Sequence, residues 1–128
     1  MFGKTFVNKK ILIYGLGLSG NSCLKYLYKK NYIKVFDDNN SLKNIENKKF
    51  FLDEKKISEE KFDYIVLSPG IDIRKCILKN YLLRNLKNII TELDIFYLSY
   101  PSNTKITITG TNGKSTTCQM LYNIFKLK

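Results

Sequence analysis

The chain has 128 residues, 44% of them hydrophobic, with a formal charge of +11 and no histidine. That length allows one domain of ordinary size, and the apolar share argues against disorder. No stretch is long and apolar enough to span a bilayer, and the commonest general base and metal ligand is missing from these residues.

The charge raises nucleic-acid binding, which the composition argues against. Of the 22 basic residues only Arg74 and Arg84 are arginines. Phosphate and base readers favour the bidentate arginine fork, and the lysines fall mainly on the solvent faces of the expected helices. No nucleic-acid partner is expected. Cys23, Cys76 and Cys118 are odd in number and far apart, which reads as reduced structural thiols in a cytosol.

The start, MFGKTFVNKKILIYGLGLSG, imitates a signal peptide, but its apolar run is short, carries glycines and lacks a small-x-small cleavage site. It reads as a first strand, KKILIY (9–14), and a turn, so the protein is expected in the cytoplasm with no membrane partner. Residues 19–30 carry Cys23, Leu24, Leu27 and Tyr28 at helical spacing. YIKVF (32–36) is a second strand, ending at Asp37-Asp38. KFFL (49–52) is a candidate third strand, and DYIVLS (63–68) a further one that stops at Pro69-Gly70. Residues 74–87 are expected helical through Ile77, Leu78, Tyr81, Leu82 and Leu86. NIIT (88–91) reads as a strand, ELDIFYLSY (92–100) as a helix, and PSNT (101–104) as a linker. KITIT (105–109) is an expected strand, followed by a helix from about residue 115. Such alternation predicts an α/β fold, a Rossmann-like parallel sheet with helices on its faces.

Two glycine loops carry the chemistry. GLGLSG (15–20) fits G-x-G-x-x-G between a strand and a helix. Gly15 allows a tight turn, Gly17 a ligand's close approach, and Gly20 the packing of helix on strand. The free N–H groups of the helix start then face an anion, and Asp37 stands where dinucleotide folds carry an acid. In TGTNGKSTT (109–117), Gly110 and Gly113 flank only Thr111-Asn112, two residues fewer than the general phosphate loop has. The mechanism survives that shortening. Backbone N–H groups cradle phosphate oxygens, Lys114 supplies a charge, and Ser115 or Thr116 offers a hydroxyl to Mg²⁺.

GLGLSG, LSPGI (67–71) and TGTNGKST (109–116), with the loops 95 residues apart, together resemble the Mur ligases, specifically their D-glutamate-adding branch. These ATP-dependent amide ligases build the peptide of bacterial cell-wall precursors. The resemblance implies three domains: a Rossmann-like one for the UDP part of the precursor, a central one for ATP, and a last one for the amino acid. On that plan residues 1–100 form the first domain, 101–104 the linker, and 105–128 the truncated start of the second. It also implies that Gly15, Gly17, Leu18, Ser19, Asp37, Ser68, Pro69 and Gly70 meet the UDP substrate. Gly110, Thr111, Asn112, Gly113, Lys114, Ser115 and Thr116 would meet ATP, with Lys114 catalytic and Ser115 and Thr116 toward Mg²⁺. Where relatives often have threonine and arginine after the acid, this chain has Asp38 and Asn39, which removes a basic contact.

The implied substrates are UDP-N-acetylmuramoyl-L-alanine and D-glutamate, joined through an acyl phosphate by a monomeric full-length enzyme. The family's later metal-binding glutamate and histidine, carbamylated lysine and amino-acid domain are not among these 128 residues. The polypeptide is therefore expected to lack ligase activity alone and to bind ATP weakly. Two other readings stay open. One is an NAD-binding regulatory or oxidoreductase module, which explains the first loop but gives the second no task. The other is a basic adaptor for nucleic acid or a protein partner.

Overall fold

The computed structural model describes residues 6–39 and 48–127; residues 1–5, the stretch 40–47 after the second strand, and Lys128 lie outside the described residues. At the centre is β1 (Lys10–Tyr14). Side chains alternate across a strand, so Ile11 and Ile13 enter one core cluster and Leu12 and Tyr14 another, all four fully buried. A strand buried on both faces reads as an unbroken apolar run. β2 (Tyr32–Phe36) and β3 (Tyr64–Leu67) flank β1, and β4 (Ile89–Ile90) pairs with β3. All pairings are parallel, in the order β2-β1-β3-β4. This is the expected α/β, Rossmann-like architecture.

Helices cover both faces. α1 (Leu18–Leu27) and α4 (Glu92–Ser99) bring Cys23, Leu24, Leu27 and Ile95 against Ile11, Ile13 and Val66. α2 (Glu54–Glu59) and α3 (Lys79–Arg84) bring Ile57 and Leu82 against Leu12, Tyr14 and Ile65. α4 begins with a reciprocal cap. The Asp94 N–H donates to Thr91 Oγ1 at 3.3 Å, and Asp94 Oδ2 accepts the Thr91 N–H at 2.7 Å, which satisfies two otherwise unpaired donors.

Several expected elements come out differently. KFFL is no strand: residues Lys48–Phe50 form a 3₁₀ turn, and Phe51 makes one isolated parallel bridge to Val35. The helix expected over 74–87 shrinks to α3 plus a 3₁₀ turn at Leu86–Asn88, because turns carry Cys76 and Leu78 inward while Ile77 and Leu86 stay exposed. The strand expected at KITIT does not form; residues 104–110 have no regular structure and pair with no strand among the described residues. Extended backbone needs a neighbouring ladder, and Ile106 is 58% exposed. α5 (Lys114–Lys126) follows as expected, but none of its residues is buried.

The Tyr14 hydroxyl donates to Asp38 Oδ1 at 2.6 Å. Burial first, then this bond, raises its pKa far above the ordinary 10.0. The folded state thus keeps a proton that the unfolded state releases. Tyr14 leaves stability unchanged below pH 10, and stability falls as pH rises above it, by up to about 1.4 kcal/mol per pH unit. Urea unfolding between pH 9 and 11 is expected to show this loss, and Tyr14→Phe to lessen it, leaving the part due to Cys23 and Tyr81, whose pKa values burial also raises.

Candidate functional site

In a parallel sheet every strand ends at the same edge, and here that edge gathers the expected first site. The chain leaves β1 toward β2 and leaves β3 toward β4, so a crevice opens between the ends of β1 and β3. Such a switch point is where open α/β sheets bind ligands.

The first glycine loop is tied down at this edge from several sides. Gly15 has φ +93°, in the left-handed region, and a Cβ there would meet Ser68 Cβ at 2.8 Å. The Ser68 hydroxyl donates to the Gly15 carbonyl at 2.7 Å, so β3 braces the turn that ends β1. Asp37 accepts the Leu16 N–H at 2.6 Å with one oxygen and the Asn39 N–H at 2.7 Å with the other. The Asn21 side-chain amide donates to the Leu16 carbonyl at 2.7 Å.

The three glycines divide by role. A Cβ on Gly20 would lie 1.9 Å from the Gly15 carbonyl oxygen, so Gly20 is a packing glycine. A Cβ on Gly17 would meet nothing within 4 Å. Gly17 caps α1 without a side-chain bond, no acid occupies the first turn, and Leu18 beside it is 93% exposed. Open space therefore adjoins the positive end of α1, with an exposed apolar side chain next to it. Ser19 is half-buried, and Pro69 and Gly70 are exposed beyond Ser68.

Thus Gly15, Asp37 and Ser68 meet, but as parts of one brace. Each makes its observed bonds within the protein, and Gly17, Leu18 and Ser19 form the outward surface. Asp38 does not replace the missing basic contact; its carboxylate takes the Tyr14 hydroxyl. Asn21 lies just beyond the glycine motif, which gives it no role. The signal for it is an Asn in the first turns of a helix, where a short polar side chain turns back to nearby backbone. Asp37→Ala leaves the Leu16 N–H without its charged acceptor and is expected to cost about 2 kcal/mol in urea unfolding.

The second loop is exposed throughout. Gly110 and Gly113 have φ of +149° and +76°, so both need glycine, and Gly113 caps α5. The Lys114 ammonium bends back onto the Gly110 carbonyl and lies 3.4 Å from that of Thr111. Lys114, Ser115 and Thr116 form the first turn of α5, with Thr111 and Asn112 between the two glycines. A cation, two hydroxyls and a helix N-terminus gathered at one bend suit a phosphate with its metal.

A cavity of about 520 Å³ lies between α1 and α4, lined by Cys23, Tyr26, Glu92, Ile95, Phe96 and Tyr100 among others, and by none of the expected site residues. Burial, then the Glu92 charge, pushes the Cys23 thiol up to about 11, so it is not a nucleophile at neutral pH.

Residues 9–90 match the family model of the N-terminal domain of MurD-like Mur ligases. The chain is 41% identical over 131 residues to the UDP-N-acetylmuramoylalanine–D-glutamate ligase of Buchnera aphidicola subsp. Schizaphis graminum, covering 93% of this chain and 28% of that protein. The ligase of the same name from Buchnera aphidicola subsp. Acyrthosiphon pisum (strain APS) is 40% identical over 129 residues, and that of Lactobacillus gasseri 34% over 133. Each match covers 94% of this chain and 28% of the relative. The chain therefore spans little more than a quarter of the length of these relatives, and it belongs to the MurD-like family of Mur ligases.

Proposed function

We propose that residues 1–100 form the domain that holds the UDP portion of a cell-wall precursor, and that 105–128 begin an ATP-binding domain joined by the 101–104 linker. The observation that carries this reading is the crevice at the ends of β1 and β3, where the braced first loop turns Gly17, Leu18 and Ser19 outward. A diphosphate suits the N–H groups at the start of α1, and the exposed Leu18 suits the flat face of a pyrimidine. Family membership favours this ligand over NAD.

Within the whole protein, the reaction is ATP-dependent addition of D-glutamate to UDP-N-acetylmuramoyl-L-alanine. The precursor's carboxylate takes the γ-phosphoryl group to give an acyl phosphate and ADP, and the amine of D-glutamate then displaces phosphate. Lys114 neutralises developing charge on the transferred group. Ser115 and Thr116 would hold Mg²⁺, which supplies further charge neutralisation. The 128-residue polypeptide alone is expected to bind ATP weakly and to show no turnover.

Titration of ¹⁵N-labelled protein with UDP tests the first assignment. Amide shifts concentrated at Gly17, Leu18 and Ser19 are the expected result. Shifts confined to 110–116 would contradict it.

A further inference from the structure

We propose that Asn21 is a positioning residue, one that fixes the carbonyl side of the first glycine turn so that only its N–H side faces a bound diphosphate. The inference rests on the reading of that turn as a UDP site. Its basis is a sorting of the turn's backbone groups. The Gly15 carbonyl accepts from the Ser68 hydroxyl at 2.7 Å. The Leu16 carbonyl accepts from Asn21 Nδ2 at 2.7 Å. The Gly17 carbonyl accepts the Asn21 backbone N–H at 3.0 Å and the same Nδ2 at 3.2 Å.

Three successive carbonyls are therefore each held by a donor of the protein. The negative ends of these peptide dipoles are fixed, so none can rotate toward an anion in front of α1. Ser68 and Asp37 act on the turn from the ends of β3 and β2, whereas Asn21 acts from α1 itself. It bonds to two neighbouring carbonyls and so ties the turn to the helix whose N-terminus would receive the charge. Without that amide the 16–17 peptide can reorient, and a reoriented peptide presents oxygen to phosphate. The half-buried side chain touches the turn from behind and need not touch the ligand.

The test compares UDP with uridine, which shares the base and ribose but lacks phosphate. Kd values are measured by NMR titration on wild type, Asn21→Ala and the similarly branched but apolar Asn21→Leu, with thermal melting to establish that each is folded. The expected result is a Kd for UDP raised about tenfold in both variants and a Kd for uridine changed less than twofold. Equal weakening of both ligands would reduce Asn21 to a structural cap and overturn the proposal, as would an unchanged Kd for UDP in a folded variant. If wild type binds neither ligand, the UDP reading itself fails, and this inference with it.

Discussion

Gly20→Ala is expected to destabilise the protein by about 3 kcal/mol or more, a large share of a small domain's total stability. The reason is local and steric. The added Cβ would lie 1.9 Å from the Gly15 carbonyl oxygen and 2.9 Å from its carbon, and these are backbone atoms that no rotamer change can move aside. Gly15 is in turn held by Ser68 and by its N–H bond to the Phe36 carbonyl at 2.9 Å. Relief would therefore require α1 to move off the sheet, taking Cys23, Leu24 and Leu27 out of the core. Thermal melting checks this directly. A variant melting within a few degrees of wild type would mean that the loop does not approach the helix as described.

Gly17→Ala is expected to do the opposite. Its φ is −68° and its Cβ would meet nothing within 4 Å, so the fold accommodates alanine. The cost should stay within about 1 kcal/mol, the difference between glycine and alanine at a helix cap. Binding should suffer much more, because the methyl occupies the space through which a diphosphate approaches the α1 N-terminus. A loss of about tenfold or more in UDP affinity with near-native melting is the expected pattern. Unchanged affinity would place the ligand elsewhere. Together the two variants separate glycine needed for packing from glycine needed for access, a division that G-x-G-x-x-G states only in outline.

The sheet was legible because its strands are rich in apolar and β-branched residues: ILIY is buried on both faces, and YIKVF and YIVL carry buried residues at their centres. α2 went unseen because EKKISE contributes one buried side chain, Ile57, and a single apolar residue has no period. KITIT misled for the converse reason. Alternating isoleucine and threonine is a strand signal, but strand formation also depends on partners, and none lies beside it among the described residues. The α3 region misled because turns at 72–78, not a helix, deliver Cys76 and Leu78 to the core.

At the site, the glycine spacing located the loop, and the fold brings Asp37 against it. Its bonds to Leu16 and Asn39 were not legible, since a motif names residue types and not the direction in which a carboxylate faces. Asp38 could be noticed only as a departure from relatives. That it pairs with Tyr14 depends on the fold bringing the ends of β1 and β2 side by side.

Calorimetric titration of the 1–128 protein with UDP-N-acetylmuramoyl-L-alanine and, separately, with NAD tests the central claim most directly. Binding of the UDP compound and not of NAD is the predicted result, with the crevice at the ends of β1 and β3 as the precursor site. Binding of NAD alone would contradict it and give the first glycine loop a dinucleotide role.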